Sequence, residues 1–254
     1  MNTIPLMLDG HIPLYRNRNE TTKNVFLLYD GISEQYHDLE ILEKIGSLIP
    51  EQISQLNEVD RLKPLLEWFK NDFMSWTSKD PPCTKCMDEG RGNVPMQVRI
   101  MTGMSWKFRS FEFYNCNRCG YEYTFPRYGE ILKIAEIKTG RCSEWAMLFG
   151  AMMNALKVET RIVHDFLDHC WNEAMIKGKW VHMDSTLAYP ISVNHPYYYE
   201  QNWGKKYEYV LAFCPGGRVE DVTQRYTQDW YAVTQRRKKN KSILNKFRHM
   251  IFDI

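Results

Sequence analysis

The run from Gly140 to Asp184 constrains this chain most, because it carries three reactive residue types in three short aromatic-rich motifs. In chain order these residues are Cys142, His169 and Asp184. A thiol needs a base to become a nucleophilic thiolate, and the base needs an acceptor that fixes its tautomer. The fold must therefore bring these three points together, and we interpret the run as the centre of a cysteine-dependent hydrolase.

The segment that begins at Cys142 has the periodicity of a buried helix. Apolar side chains recur at helical spacing from Trp145 to Leu156, and the segment ends near Val158. A thiol at a helix N-terminus meets the positive end of the helix dipole, which stabilises the thiolate. This position favours Cys142 as the nucleophile over a packing role.

The segments around His169 and Asp184 predict a β-hairpin. Residues 169–176 and 179–184 read as strands, and Lys177-Gly178 supplies the turn. In that register His169 is a diagonal neighbour of Asp184 on one face of the hairpin. A three-residue loop would shift the register by one and separate the pair.

Other histidines and cysteines compete for these roles. His164, His182 and His195 are alternative bases; His182 shares the predicted face with Asp184 but has no matching carboxylate at comparable spacing. Cys170 and Cys214 lie within strand-like segments, and we interpret both as packing residues.

Four of the seven cysteines form two C-x-x-C pairs separated by 29 residues. Each pair can place two thiolates on one tetrahedral ion, and two pairs complete a four-sulfur shell. A closed shell leaves no position for water, so we predict one structural Zn²⁺ ion. The predicted ligands are Cys83, Cys86, Cys116 and Cys119.

Composition narrows the setting of the chain. The 254 residues carry a formal net charge of +2, which gives no argument for nucleic acid or membrane binding. Residues 1–5 show no signal-like pattern, and paired C-x-x-C cysteines indicate metal binding in a reducing compartment. We expect a cytoplasmic or nuclear protein with no nucleic acid partner and no membrane insertion.

The pattern along the chain predicts an α+β fold in four parts. An irregular or partly extended arm over residues 1 to about 35 is followed by helices at 39–49 and 59–76. Strand-like alternation then runs through the cysteine-rich part to Phe125. The predicted parts are an N-terminal arm with helices (1–76), a zinc-binding module (77–127), a catalytic core (128–230) and a basic C-terminal tail or helix (231–254).

Motifs beyond the reactive residues carry a family resemblance over about two thirds of the chain. They run from Leu65–Phe73 through both cysteine pairs and Phe125–Tyr128 to Asn202–Lys206 and Asp221–Tyr226. With the three reactive motifs, this combination resembles the cytosolic peptide:N-glycanases, which belong to the transglutaminase-like superfamily. The resemblance implies a papain-like core with an inserted zinc module.

The resemblance also implies an activity. It implies hydrolysis of the amide bond between an N-glycan and asparagine in misfolded glycoproteins, within ER-associated degradation. Carried over, Cys142 is the nucleophile, His169 the base and then the acid, and Asp184 the orienting carboxylate. Trp76 and Trp171 match positions that help to form the substrate cleft. Implied partners are the unfolded glycoprotein substrate, ubiquitin-like shuttle proteins and the proteasome.

Some residues depart from the family pattern and leave alternatives open. Ser143 replaces a glycine beside the nucleophile, Leu187 replaces an acidic residue, and the segment 189–195 is longer. One alternative is another thiol hydrolase or a transglutaminase on the same fold. The other is a binding scaffold that has lost catalysis, whose basic block at 236–239 could hold an anionic partner.

Overall fold

The computed structural model describes residues 18–78, 81–87, 95–100, 108–240 and 251–253. It has eight α-helices within these residues: α1 Arg18–Gln35, α2 Leu39–Gly46, α3 Glu51–Ser54, α4 Leu62–Trp68, α5 Ile131–Ile137, α6 Cys142–Ala155, α7 Tyr198–Trp203 and α8 Trp230–Asn240. Short π-helical and 3₁₀ turns lie at Phe69–Phe73 and Thr223–Arg225.

The described strands form three sheets. They are β1 Ser75–Trp76, β2 Pro95–Ile100, β3 Phe108–Asn115, β4 Glu122–Tyr128, β5 Thr139–Gly140, β6 Thr160–His164, β7 Cys170–Ile176, β8 Lys179–Met183, β9 Leu211–Phe213, β10 Val219–Asp221 and β11 Ile251–Asp253. The largest sheet has six strands in the order β11-β10-β9-β6-β7-β8, and a separate sheet has the order β2-β3-β4. The mixed helix and sheet content confirms the predicted fold class.

The N-terminal region is more regular than its sequence indicates. The prediction of an irregular arm to about residue 35 is wrong for 18–35, which form α1; residues 1–17 lie outside the described part. From Phe26 onward α1 buries a face, with Tyr29 and Ile32 almost inaccessible. Its hydrophobic pattern is weak because Gly31 and several polar residues interrupt it, so tertiary packing decides the structure here.

The two predicted helices that follow are partly correct. Helix α2 begins where expected, since the Asp38 carboxylate accepts from the Glu40 and Ile41 amides at 3.0 and 3.1 Å. The helix predicted over 59–76 is shorter. It starts at Leu62, changes to the π-helical turn at Phe69 and ends before Trp76, which lies in β1.

The hairpin register predicted from the sequence is confirmed. Ile176 pairs with Lys179 and Asn172 pairs with Met183 across β7 and β8. Strand β7 is buried along nearly its whole length because β6 and β8 flank it and helix α6 covers one face. This places the start of β7 and the end of β8 at one edge of the structure, next to the start of α6.

Helix α6 is the centre of the main hydrophobic cluster. Nearly every side chain from Ser143 to Asn154 is buried, as expected for a helix that is enclosed by other elements. Gly150 is required there, because a Cβ at this position would collide with the Tyr36 hydroxyl and the Asn172 side chain. The Tyr36 hydroxyl instead donates to the Met147 carbonyl at 3.0 Å and fixes α6 against the turn that follows α1.

The cysteine-rich part is an excursion from this core. The chain leaves after β1 and returns at β5, and these two strands pair in parallel, with Trp76 opposite Gly140. Between them lies the β2-β3-β4 sheet. The hydroxyls of Thr77 and Thr139 are 2.7 Å apart, so the two connections run side by side.

The basic C-terminal region is only partly a helix. Helix α8 contains the basic block, and Arg237 is held in place by the Glu208 carbonyl, the Asp221 carboxylate and the Tyr209 ring. The predicted continuation through residues 243, 244 and 247 lies outside the described residues. Ile251 is in strand β11, which pairs with β10, so helical periodicity misassigned it. None of the described helices is long and apolar enough to cross a membrane.

Candidate active site

Helix α6 presents Cys142 at its first residue. Gly140 lies two residues earlier because a Cβ there would collide with the Glu144 side chain. Glu144 folds back under the helix start, where its carboxylate accepts from the Arg141 amide at 3.0 Å. The thiol of Cys142 is therefore anchored at a helix N-terminus and is partly buried.

His169 and Asp184 meet at the open end of the β7-β8 hairpin. The Nε2 atom of His169 lies 2.8 Å from the Oδ2 atom of Asp184, and both side chains are buried. The other oxygen of Asp184 accepts from the Thr186 amide and hydroxyl at 2.9 and 2.7 Å. Because Asp184 takes the Nε2 atom of His169, the second ring nitrogen, Nδ1, is left to face Cys142.

The three predicted residues form one hydrogen-bonded chain. Burial opposes charge on His169, but the Asp184 carboxylate outweighs it, and the contact with Cys142 adds to this and raises the pKa of His169 to about 10. Burial likewise opposes charge on Asp184, yet the His169 imidazolium and the other donors hold the pKa of that carboxyl well below its usual range. The histidine and the carboxylate are thus an ion pair near neutral pH.

The thiol of Cys142 is strongly acidified. The largest cause is a hydrogen bond with the Cys170 side chain; burial opposes the charge, and a hydrogen bond with His169 supports it. Together they lower the pKa of Cys142 to about 5. The prediction that Cys170 only packs is incomplete, because its buried thiol contacts that of Cys142. Cys214, by contrast, is buried against Arg161, and its Sγ lies 3.5 Å from the Nη1 of Arg161.

Tyr199 contacts the site and was missed by sequence reasoning. The Tyr199 hydroxyl donates to Asp184 at 2.7 Å and lies 2.8 Å from the Nε2 of His182. Burial raises the pKa of Tyr199 far above its ordinary value, so it stays protonated. Burial lowers the pKa of His182 to about 4, so at neutral pH it is uncharged and a much weaker base than His169. The only sequence signal was a tyrosine run at 197–199.

The two tryptophans predicted to line the substrate cleft behave differently. Trp171 is 0% exposed and packs against both His169 and Tyr199, so it offers no face to a ligand, and the prediction for it does not fit the structure. Trp76 is 56% exposed, and its role stays a prediction. Trp203, which the sequence analysis did not assign, is 45% exposed with its ring 5.0 Å from that of His169.

The side chain of Ser143 points away from the thiol. It is buried and accepts from Arg127 at 3.0 Å, while Arg127 also donates to both oxygens of Glu144. The Ser143 hydroxyl therefore belongs to the charged network of Arg127 and Glu144. Leu187 is half-buried and packs on the cluster around Tyr199. The segment 189–195 folds back along β8, since the Asp184 amide donates to the Ser192 carbonyl at 2.8 Å.

The four paired cysteines converge at one end of the β2-β3-β4 sheet. Their sulfur atoms all lie within 4.8 Å of one another, with Cys83 and Cys119 at 3.8 Å and Cys86 and Cys116 at 3.6 Å. A tetrahedral ion with metal–sulfur bonds of about 2.3 Å requires edges of about 3.8 Å. The donor set fits a closed four-thiolate metal site.

A buried charged network links this four-cysteine cluster to the start of helix α6. Glu112 on β3 accepts from Arg141 at 2.7 and 2.8 Å and from Arg127 at 3.0 Å. The Tyr114 hydroxyl donates to Glu112 at 2.5 Å, and its ring packs in one cluster with Cys83 and Cys116. Arg141, the residue before Cys142, is thus bonded to the sheet at whose end the four cysteines lie.

Comparisons with known proteins agree with this architecture. The sequence profile of the transglutaminase-like superfamily matches residues 96–185, and that of the Rad4 transglutaminase-like domain matches residues 167–253. The peptide-N(4)-(N-acetyl-beta-glucosaminyl)asparagine amidase of Caenorhabditis briggsae is 32% identical over 233 residues, which are 87% of this chain and 37% of the relative. The amidase of the same name from Yarrowia lipolytica is 33% identical over 197 residues, covering 74% and 54%. That of Saccharomyces cerevisiae is 38% identical over 170 residues, covering 65% and 46%. The chain therefore spans about half or less of the length of these curated relatives.

Solved structures with the same fold include Rad4–Rad23 crosslinked to an undamaged DNA. That chain superposes with a TM-score of 0.53 at 16% identity, over 95% of this chain and 56% of the other. A structure of the Rad4/XPC nucleotide excision repair complex gives a TM-score of 0.51 at 17% identity, over 92% and 57%. At such low identity the likeness shows a shared fold alone.

Proposed function

Since this chain contains a transglutaminase-like domain and is a homologue of the peptide-N(4)-(N-acetyl-beta-glucosaminyl)asparagine amidases, we propose that it cleaves the amide bond between an N-glycan and asparagine. The observation that carries the proposal is the hydrogen-bonded chain of Cys142, His169 and Asp184 at a helix N-terminus. It supplies a thiolate, an acid and an orienting carboxylate at neutral pH. Amide hydrolysis needs a nucleophile to attack the carbonyl carbon and an acid to protonate the nitrogen, which leaves only when it is protonated. The carboxylate orients that acid.

In the proposed first step the Cys142 thiolate attacks the side-chain carbonyl carbon of the glycosylated asparagine. A carbon–sulfur bond forms and the carbonyl π electrons move to oxygen. When the tetrahedral intermediate collapses, the carbon–nitrogen bond breaks and His169 gives its proton to the leaving nitrogen. The products are a glycosylamine and a thioester on Cys142.

In the second step neutral His169 takes a proton from water, which attacks the thioester carbon. The carbon–sulfur bond breaks, Cys142 leaves as a thiolate, and His169 is again an imidazolium. The former asparagine is released as aspartate. Asp184 stays ionised throughout, because its folded-state pKa lies far below the working pH.

Exposed aromatic rings beside the nucleophile are candidates for sugar binding. Trp203 lies against His169, and Trp76 lies edge-on to Trp145 at 6.0 Å. Aromatic faces of this kind bind the apolar side of a sugar ring. We assign both rings to the glycan side of the cleft. The asparagine of a folded glycoprotein could not reach the partly buried Cys142 thiol, so we expect unfolded glycoproteins to be the substrates.

The four clustered cysteines are proposed to hold a structural Zn²⁺ ion. Zinc is favoured because it accepts four thiolates in tetrahedral geometry and has no redox chemistry. A closed four-sulfur shell leaves no open position, so the ion stabilises the sheet that buttresses Arg141.

The proposed setting is the cytoplasm, with the nucleus as a second location. Deglycosylation there would serve the removal of misfolded glycoproteins within ER-associated degradation, with ubiquitin-like shuttle proteins and the proteasome as partners. This part of the proposal rests on the family resemblance. It is tested by isolating the protein from cells and identifying co-purifying partners with and without proteasome inhibition.

The test of the activity is a mobility-shift assay on a heat-denatured high-mannose glycoprotein, with Cys142→Ala as the control. We expect the wild-type protein alone to remove the glycan and to leave aspartate, identified by mass spectrometry. Equal rates on native and denatured glycoprotein would contradict the preference for unfolded chains. No cleavage by a folded, metal-loaded protein would contradict the activity itself.

Comparing the wild-type protein with Cys142→Ala also tests two other functions. A transglutaminase would incorporate a labelled amine into protein in a Cys142-dependent manner. A binding scaffold is favoured by one observation, the match to the Rad4 transglutaminase-like domain. It would have a cellular effect that Cys142→Ala leaves unchanged, whereas an amidase would lose its effect.

A further inference from the structure

A second chain of hydrogen bonds ends on the same Asp184 oxygen that binds His169. The Tyr199 hydroxyl donates to Oδ2 of Asp184 at 2.7 Å, and the His169 ring contacts that atom at 2.8 Å. Behind Tyr199, the Nε2 of His182 lies 2.8 Å from the hydroxyl oxygen. All four side chains are buried, so these bonds do not compete with bulk water.

The direction of each bond follows from the donors and acceptors available. An ionised carboxylate only accepts, so the single hydroxyl hydrogen of Tyr199 goes to Asp184. The Tyr199 oxygen can then only accept from His182, which must carry its hydrogen on Nε2. The Nδ1 atom of His182 is buried and has no hydrogen-bond partner among the described residues, which fits an unprotonated nitrogen.

The two oxygens of Asp184 are therefore used differently. Oδ1 accepts from the Thr186 amide and hydroxyl, and Oδ2 is shared between Tyr199 and His169. A donor on Oδ2 withdraws negative charge that the imidazolium would otherwise receive, and a donor that itself accepts a hydrogen bond is a stronger one.

We propose that Tyr199, oriented by His182, is a positioning residue that limits the hold of Asp184 on His169 and so keeps the His169 proton transferable. The role rests on the proposed amidase reaction, in which His169 must protonate the leaving nitrogen. A histidine bound too tightly to its carboxylate would be a weaker acid and would protonate that nitrogen more slowly.

The test is Tyr199→Phe, which removes the hydroxyl and keeps the ring that packs against Trp171 at 4.7 Å. The titration of His169 is followed by NMR in protein carrying isotope-labelled histidine. Without the competing donor, the pKa of His169 should rise by about half a pH unit or more. In the same variant kcat should fall about threefold or more, with KM unchanged.

A matched control removes a buried hydroxyl that does not reach Asp184. Tyr226 is buried against Trp171 and His182, and its hydroxyl donates to Glu173 at 2.9 Å. Tyr226→Phe should leave the pKa of His169 at its wild-type value. An unchanged pKa of His169 in Tyr199→Phe would overturn the proposal, whatever the loss in rate.

Variants of His182 keep the test available if Tyr199→Phe fails to fold. His182→Gln retains an N–H donor near the position of Nε2, and His182→Met removes it at similar volume. In His182→Gln the pKa of His169 should equal the wild-type value. In His182→Met it should rise, as in Tyr199→Phe, but by a smaller amount. Equal behaviour of the two variants would contradict the proposal.

Other titratable groups around the site must be considered in reading these curves. Cys142 acts on His169, His195 acts on His182, and Tyr207 and Tyr226 act on Tyr199. Asp165, which pairs with Lys205, also accepts from the His169 amide at 3.0 Å. Because the NMR titration needs no glycopeptide, it remains decisive even if deglycosylation fails. Failure of the proposed activity and failure of this proposal are thus separate outcomes.

Discussion

The protein contains two groups of close cysteine sulfurs that differ in what surrounds them. Around Cys83, Cys86, Cys116 and Cys119 the sulfurs face one another and can enclose one ion. At Cys142 a single thiol meets one other thiol, Cys170, together with the His169 ring. The first arrangement can form a closed shell around a structural ion, as proposed, whereas the second stabilises the single thiolate that the proposed reaction requires. The comparison shows that the partners of a cysteine, and not its sequence neighbours alone, set its chemistry.

The largest effect should separate the two groups by activity. Cys142→Ala removes the nucleophile, so deglycosylation should fall by at least about 10⁴-fold. The variant should remain folded, since the Cys142 side chain is only partly buried and lies at the first residue of the helix. The measurements are the mobility-shift assay and chemical denaturation. Residual cleavage within tenfold of the wild-type rate would remove Cys142 from the mechanism.

The reverse behaviour is expected of the four-cysteine cluster. Cys116→Ser opens the sulfur shell, so the protein should lose its bound metal and about 3 kcal/mol or more of stability. Metal content by mass spectrometry and thermal unfolding measure the change. Cys214→Ala, which truncates a buried cysteine outside the cluster, should retain the metal. Unchanged metal content in Cys116→Ser would show that the cluster does not bind it as proposed.

Glu112 lies between the four-cysteine cluster and the start of α6, so a variant at this position should weaken the support of both. Glu112→Gln leaves Arg127 and Arg141 without their shared carboxylate, which should cost about 3 kcal/mol in unfolding free energy. Burial raises the pKa of Glu112, but its hydrogen bond from Arg141 and the charge of Arg127 outweigh this and lower it. Ionised Glu112 therefore adds stability above its unfolded pKa of about 4.3, and this is lost as pH falls through the folded pKa.

The stability of Glu112→Gln should accordingly depend less on pH as the pH falls from about 5 through the unfolded and then the folded pKa of Glu112. Denaturation curves at several pH values measure the difference. Lys133 pairs with Glu136 on the exposed face of α5 at 2.7 Å, so Glu136→Gln serves as a control and should change stability little. Parallel pH curves for Glu112→Gln and the wild-type protein would argue against an ionised Glu112.

The smallest effect should reveal the contact between the two thiols of the reactive group. Alkylation by iodoacetamide requires the thiolate, so reactivity of Cys142 should appear as pH rises through about 5. Cys170→Ala removes the donor with the largest influence, so this rise should move to higher pH by roughly one pH unit. Cys214→Ala should leave the curve in place, and an unmoved curve in Cys170→Ala would contradict the contact.

Much of the site follows from local rules that the sequence displays. The Lys177-Gly178 turn determines the pairing of β7 with β8, which carries His169 to Asp184. Spacing within each C-x-x-C pair likewise brings two sulfurs together. These features depend on residues close in sequence, so periodicity and turn chemistry suffice to predict them.

The features that were missed depend on distant contacts. Tyr199 reaches Asp184 only because helix α7 folds back over the hairpin, and Trp171 is buried by that same packing. Ser143 turns away from the thiol because Arg127, on strand β4, donates to the Ser143 hydroxyl. Helix α1 forms although its pattern is weak, because Tyr29 and Ile32 pack on the core. No local pattern encodes such tertiary partners.

The side-by-side passage of Thr77 and Thr139 has a consequence for how the chain assembles. The two residues are 62 positions apart, and closing a flexible loop of that length costs about 3.7 kcal/mol of chain entropy. An ion bound early by Cys83 and Cys119, which are 36 positions apart, would fix much of that loop in advance. The remaining search for the β1-β5 pairing would then be shorter, so metal supply should set how quickly the nucleophile helix reaches its place.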